Sequence, residues 1–438
     1  MVKKVVFIIY RTNEFKYLSS AINAFFKKKI PIELLFISDQ NKKSFKYYLD
    51  PKKLNTPLIN KIPKKYFYNV NDLQDFFIKD IENISLIFSL VFLSKSRFLI
   101  DENFLRLVRN KWCVINHGTD NYAQIKDEQT NYNYNPIFFA DTKYYTRFGK
   151  KWVQKFVKKK NILLSKKIIF KIVGNSMYSR EIFKIKKNTK SNKLIYLPYP
   201  YLRERYNSDF SFQAAFVGQF INMYLFYRKF HKSSILFAFK AQISHWIINS
   251  LELIKNFKLI KKYYYHHNEL QVVKTISKFC KKNNLQFIIK PRLKFPFPNV
   301  YNKFADKIIY DDESKQFPSI LQKEIAESKI VIGSNSSAIY ETAMFNKLSI
   351  NIETPKIAFN SNSSRSLFTF LPNTEWNFKK VVLNFKINEF IEKFDNMKLE
   401  DLRLDRTQHK KYLKKFCGIE KKYDTGEKIY NEIKKYLK

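Results

Sequence analysis

The residues best suited to chemistry lie in the run Ile332-Gly-Ser-Asn-Ser-Ser-Ala-Ile-Tyr-Glu341. An apolar, strand-like stretch ends at Gly333. Ser334, Asn335, Ser336 and Ser337 follow, and a helical pattern begins at about Ser336. Hydroxyls beside the free N–H groups of a helix's first turn form a cradle for phosphate or another anion. Ordinary N-capping needs one such side chain, and four in a row exceed that need. Gly333 removes a Cβ where a ligand would approach the backbone, and Glu341, one turn on, can accept from ligand hydroxyls.

Two more constellations share that placement. Lys290-Pro291-Arg292 puts two cations after the apolar run Phe287-Ile-Ile. Such a pair suits a phosphate, which Arg can grip with two parallel hydrogen bonds. The alternative is a plain basic surface in a Lys-rich chain. His117 follows Trp112-Cys-Val-Ile-Asn and precedes Gly118. A histidine at a strand end titrates near neutrality and can take a proton from an attacking hydroxyl. It can equally shape its loop by hydrogen bonding, and Asp120 is the second candidate base.

These residues need strands to carry them. Only 7 glycines occur, so each is expected where φ is positive or something approaches closely. Four of them, Gly118, Gly174, Gly218 and Gly333, directly follow short apolar runs. Such runs read as buried parallel strands, whose C-terminal ends are where open α/β sheets bind ligands. Strands are expected over 4–10, 32–37, 84–93, 168–173, 194–197, 212–217, 285–289, 307–310, 330–332 and 348–352. Helices are expected over 18–26, 66–80, 104–109, 144–158, much of 221–262, 269–282, 318–328 and 338–345. Residues 119–140 and 355–374 read as loops. Pro198-Tyr-Pro200 reads as a domain linker. The resulting fold is α/β: two Rossmann-like domains at 1–198 and 199–387, then a Lys-rich helical tail at 388–438.

The run Ser334-Asn-Ser-Ser337-Ala-Ile-Tyr-Glu341, with Asn346-Lys347, resembles the C-terminal domain of GT-B glycosyltransferases of bacterial surface polysaccharide synthesis. The Ser-Ser pair is similar to that of sialyl- and Kdo-transferases, and to the matching stretch of CDP-glycerol glycerophosphotransferases. In the first group it holds the phosphate of a CMP-sugar. Asn116-His117-Gly118-Thr119 resembles the WHGT-type motif of the glycerophosphotransferases, whose histidine is the proposed base. It departs from that motif at Asn116, where Trp is usual, and at Asp120-Asn121, where Pro-Leu is usual. Related families carry His-Pro where this chain has Lys290-Pro291. The resemblance implies a metal-independent transferase without cofactor, taking a nucleotide-activated sugar, such as a CMP-sugar, as substrate. Gly218, Lys290, Arg292, Gly333, Ser334, Asn335, Ser336, Ser337 and Glu341 would bind the donor. A glycan or lipid-linked acceptor of capsule or lipopolysaccharide would receive the sugar, with His117 or Asp120 as base. Transfer of a polyol phosphate from CDP-glycerol or CDP-ribitol is the alternative reading.

The composition bears on other classes. With 81 Lys+Arg against 38 Asp+Glu the net charge is +43, which raises the possibility of nucleic-acid binding. Yet the excess is mostly Lys and accompanies 43 Phe, 28 Tyr and 7 Gly, a pattern that A/T-rich codons explain as a whole. No nucleic-acid motif is visible, so no specific nucleic-acid partner is expected. Attraction to a phosphorylated donor or an anionic membrane face remains. Three scattered cysteines suit neither a disulfide framework nor a zinc site. His266-His267 lacks nearby acidic or Cys partners, and Asp311-Asp312-Glu313 reads as a loop cap. No apolar run is long enough to span a bilayer, and the N-terminus reads as a strand rather than a signal peptide. The expected location is the cytoplasm, peripheral on the inner face of the membrane. Phe230 to Leu253, apolar with interspersed Lys, could rest there, although core packing accounts for it better.

Overall fold

The computed structural model describes residues 3–9, 14–37, 57–90, 102–108, 110–116, 137–147, 150, 169–177, 191–198, 269–291, 299–310, 319–334, 336–353, 374–419 and 424–437. The expectations for 212–217, 221–262 and 355–373 lie outside these residues. The chain divides into two compact units, 1–185 with 313–320 and 410–438, and 186–312 with 321–409.

The first unit is built on a seven-stranded sheet in the order β3-β2-β1-β4-β5-β6-β7. Its strands are β1 (Lys4–Ile9), β2 (Ile32–Ile37), β3 (Lys64–Phe67), β4 (Ile84–Ser89), β5 (Trp112–Ile115), β6 (Ile137–Ala140) and β7 (Ile169–Ile172). All pair in parallel. The central strands are buried on both faces, which is why they read as unbroken apolar runs. Helix α1 (Phe15–Lys27) follows β1 and lays Leu18, Ala21, Ile22 and Phe25 against Phe7 and Phe88. Helix α2 (Val70–Asp80) starts at Asn69, whose side chain accepts from the Asp72 N–H at 2.8 Å. Helix α3 (Glu102–Val108) precedes β5.

The second unit holds a six-stranded sheet in the order β10-β9-β8-β11-β12-β13. Its strands are β8 (Lys193–Leu197), β9 (Gln286–Ile289), β10 (Lys307–Ile308), β11 (Ile330–Gly333), β12 (Leu348–Ile352) and β13 (Val382–Phe385). Helix α4 (Glu269–Lys282) buries Val272, Val273, Ile276 and Phe279 on one face of this sheet. Helix α5 (Ile320–Glu327) precedes β11, and helix α6 (Ala338–Met344) joins β11 to β12. Helix α7 (Ile387–Lys393) completes the α4 side, with Phe390 stacked on Phe394. Both sheets have the strand order of the doubly wound dinucleotide-binding fold, so the α/β, two-Rossmann architecture is as expected.

Four expectations change. The Pro198-Tyr-Pro200 segment does not follow the last strand of the first domain. The strand before it, β8, sits between β9 and β11, so the second unit begins before 199, and those prolines follow its first strand. Proline lacks the N–H that a ladder needs, so it punctuates a strand end and a linker alike. Residues 66–80 are not one helix, because Lys64–Phe67 forms the edge strand β3 and the helix begins at Val70. Residues 119–140 are not all loop: Ile137–Ala140 is β6, buried between β5 and β7. The tail from 388 is not a separate body. It lies with the second unit up to His409 and with the first from Lys410.

That last stretch docks through specific packing. Helix α8 (Arg406–Tyr412) runs into a wide π-type turn, Leu413–Cys417. The Phe416 ring lies 5.4 Å from that of Tyr144 and 5.0 Å from that of Tyr412. Helix α9 (Thr425–Ile433) lies along α1, capped by Asp424. Ser20 Oγ donates to Asp424 Oδ1 at 2.9 Å and accepts from the Gly426 N–H at 2.7 Å.

Candidate functional site

In the second sheet the chain runs β8, β9, β10 in one direction and then places β11 on the other side of β8. The strand order therefore reverses between β8 and β11, where open α/β sheets leave a crevice at the carboxyl ends. Gly333 ends β11 and pairs with Leu197, the end of β8. On the other side Tyr196 pairs with Ile289, and the Lys290 N–H donates to the Tyr196 carbonyl at 2.9 Å. Lys290 thus follows β9 and Gly333 ends β11, the two strands that flank β8, at one edge of the sheet.

Gly333 does not have a positive φ. A Cβ built on it would lie 3.6 Å from Leu197 Cβ and 3.7 Å from Ser336 Cβ, ordinary contacts. Neither its backbone nor the described neighbours demand glycine. Ser334, Ser336 and Ser337 are half-buried. Ser336 Oγ accepts from the Ala338 N–H at 3.3 Å, while Ser337, at the N-cap of α6, makes no side-chain cap bond. One serine therefore does the capping that the first turn needs. Glu341 is 2% exposed and Lys290 7%, so both are walls behind this edge rather than open surface. Asn335, Arg292 and Gly218 lie outside the described residues.

In the first sheet Asn116 follows β5, and His117, Gly118, Thr119 and Asp120 lie outside the described residues. Asn116 is 1% exposed. Its Nδ2 donates to Asp141 Oδ2 at 2.9 Å and its carbonyl accepts from Ser176 Oγ at 3.0 Å. Asp141 and Ser176 were not singled out from the sequence. Gly174 did mark the strand end before Asn175-Ser176, so following every glycine outward would have found that pair. Asp141 carries no comparable local signal. Among the described residues no group of three His, Cys, Asp or Glu stands together to hold a metal ion, and no helix is long and apolar enough to cross a membrane.

No family model matches the chain, and no curated protein matches it. Solved structures do. The wall teichoic acid polymerase TagF matches with a TM-score of 0.53 at 10% identity, over 100% of this chain and 90% of the other. Arabidopsis thaliana UGT89C1, solved in complex with UDP, matches with a TM-score of 0.50 at 10% identity, over 100% of both chains. At such identities the likeness is one of fold. What the chain shares with them is the GT-B fold, two Rossmann-like domains in one chain.

Proposed function

We propose that the chain is a GT-B glycosyltransferase that moves a sugar from a nucleotide-activated donor to an acceptor hydroxyl on a growing surface glycan, of capsule or lipopolysaccharide type. The observation that carries this reading is the edge at the β8/β11 reversal. There Gly333 has neither a positive φ nor a clash among the described residues to account for it, and Ser337 makes no side-chain cap bond. Ser334, Asn335, Ser336 and Ser337, with Lys290 and Arg292, would hold the donor phosphate and stabilise it as it leaves. Gly218 would border the nucleotide. The acceptor oxygen attacks the anomeric carbon, the bond to phosphate breaks, and His117 takes the hydroxyl proton, with Asp120 as the other candidate base. Cation and hydroxyl donors aimed at the departing charge would do the work of a metal, so none is invoked. Glu341 would reach donor hydroxyls only after a neighbour withdraws from it.

The acceptor would be a glycan or a lipid-linked saccharide, which puts the protein at the cytoplasmic face of an anionic membrane. The excess of Lys supports that contact electrostatically. A second reading, polyol-phosphate transfer from CDP-glycerol or CDP-ribitol, is favoured by the Asn116-His117-Gly118-Thr119 run. Product analysis with each class of activated donor separates the two.

Ligands that bind only the folded state raise its melting temperature, so a thermal-shift series with CMP, CDP, UDP, GDP and dTDP is the direct test. One or more should stabilise the wild type. The S336A/S337A variant should bind that nucleotide about tenfold or more weakly, because each hydrogen bond to a charged group contributes about 1.5–3 kcal/mol. Equal nucleotide affinity in the double variant would remove the site assignment.

A further inference from the structure

Three neighbouring strands of the first sheet end in buried polar residues that bond to one another. Asn116 follows β5, Asp141 follows β6, and Asn175-Ser176 comes shortly after β7; all four are buried. Residue 116 is held at three points. Its N–H donates to the Phe139 carbonyl at 3.1 Å, its amide donates to Asp141, and its carbonyl accepts from Ser176 Oγ. That carbonyl belongs to the peptide bond that leads to residue 117. A peptide unit is planar, so fixing its oxygen also fixes the direction in which the next Cα leaves.

The C-terminal segment closes this brace from outside. The Asn175 N–H donates to the Cys417 carbonyl at 2.8 Å, and Thr425 Oγ1 donates to the Asn175 carbonyl at 2.9 Å. Gly418 has φ 66°, and a Cβ there would collide with the Asp141 carbonyl oxygen and lie 2.9 Å from Gly174 Cα. Burying a carboxylate and an amide costs solvation that the bond between them only partly returns. Apolar residues of the same shape would serve stability as well. What the polar pair adds is direction.

We propose that Asn116, Asp141 and Ser176 are positioning residues for His117, and that Cys417, Gly418 and Thr425 lock them through their contacts with Asn175 and Asp141. The proposal rests on reading His117 as the base. Its test uses the full-length chain in variants S176A and N116A, and the swap N116D/D141N, which reverses donor and acceptor within the pair. Two readouts are taken: hydrogen exchange over residues 113–118, and kcat and KM for the activated donor. S176A and N116A should each raise exchange at 113–118 about tenfold, the factor that one lost hydrogen bond represents. Exchange in β1 and β2 should stay unchanged. Both should lower kcat about tenfold or more while donor KM stays within about twofold, since the donor belongs to the other unit. N116D alone sets two carboxylates face to face and is expected to fold poorly, whereas the swap should recover most of both readouts. Unchanged exchange at 113–118 in S176A and N116A would overturn the proposal, as would a swap no better than N116D. The exchange readout needs no donor. A wild type that transfers nothing would therefore count against the catalytic reading alone, and exchange would still decide the brace.

Discussion

The C-terminal edges of the two sheets share a strand order and are finished differently. At the first edge the protein uses its own polar groups: Asn116, Asp141, Asn175 and Ser176 bond to one another or to the returning C-terminal segment. At the second edge a Cβ on Gly333 would make only ordinary contacts with Leu197 and Ser336, and Ser337 sits at the N-cap without a side-chain cap bond. The glycines separate the two edges most clearly. Gly174 and Gly418 have φ of 93° and 66°, values that any L side chain resists, and Gly418 has no room for a Cβ. Gly333 has neither constraint. Under one topology, the first edge is a network of buried polar groups tied to one another and to the C-terminal segment. The second shows no such mutual bonding among its described residues, and it is where the proposed donor site lies.

Substitution of glycines should break this contrast if it is wrong. The largest effect is expected at Gly426, where an added Cβ would run into the main chain of Ser20 and lie 2.9 Å from its Oγ. G426A forces α1 and α9 apart, and overpacking of this kind costs about 1–3 kcal/mol or more. The denaturation midpoint should fall accordingly. G333A should do the opposite. Its stability should change by less than about 1 kcal/mol, because alanine in a strand loses less conformational freedom than glycine, while the nucleotide-induced thermal shift should shrink or vanish. If G333A unfolds the protein and still binds nucleotide, the two edges do not differ in the way argued.

A smaller effect separates the docked segment from the sheets. The three cysteines are buried, and burial pushes the Cys113 thiol up, while burial and the charge of Asp306 push Cys280 up to about 12. Thiolates are the reactive form, so neither should react in the native state. Cys417 sits in the segment that Thr425 helps to hold. T425A leaves the Asn175 carbonyl without that donor, at a cost of about 1–2 kcal/mol, or roughly tenfold in local opening. Cys417 should then be labelled by a thiol reagent before Cys113 and Cys280. Labelling of all three at one rate would mean that the segment opens only with the whole fold.

Much of this was readable from residue order, for a physical reason. Strands buried on both faces leave a continuous apolar signal, so β1, β2, β4, β5, β8, β9, β11 and β12 were legible, while β7, partly exposed, was marked by its apolar run before Gly174. Edge strand β3 was not legible, because Lys64–Phe67, two lysines and then two aromatics, has no two-residue alternation and merges into the helical pattern after it. Strand β6 was hidden by brevity, four residues behind a polar stretch with no period. The unit boundary was misplaced because Pro198 and Pro200 say only that a strand ends. Assigning β8 to the second sheet depends on its pairing with residues 286–289 and 330–333, which no local pattern encodes. At the second edge, Gly333, Ser334, Ser336 and Ser337 fall within one short run interrupted only by Asn335, so spacing alone brought them together. At the first edge Asn116, Asp141, Ser176 and Cys417 come from four distant segments, and their meeting is a tertiary fact.

The smallest predicted effect lies at the opposite, N-terminal edge of the first sheet and serves as the control. Lys4 Nζ donates to Glu33 Oε2 at 2.7 Å and also pairs with Asp80, which accepts from Asn83 Nδ2 at 2.8 Å. Burial alone would raise the Asp80 carboxyl, but the hydrogen bonds from Lys4 and Asn83 outweigh it and hold the group below the ordinary carboxylate value. A lowered acid contributes stability above its unfolded pKa, about 3.9, and loses it as pH falls through the folded value. Burial likewise lowers Lys4, and the same partners more than reverse that, so its contribution fades only at strongly alkaline pH. The pair should therefore stabilise the protein fully at neutrality and weaken below about pH 4. K4M should flatten the acid limb of the melting-temperature profile by an amount on the order of 1 kcal/mol or less, because both groups are partly exposed to solvent. It should leave exchange at 113–118 and nucleotide binding at pH 7 unchanged, since β1 begins at the end of the sheet remote from Asn116. If K4M loosens 113–118 as strongly as S176A does, the restraint on that segment is a property of the whole unit. The distinction between a braced edge and an open one would then lose its basis.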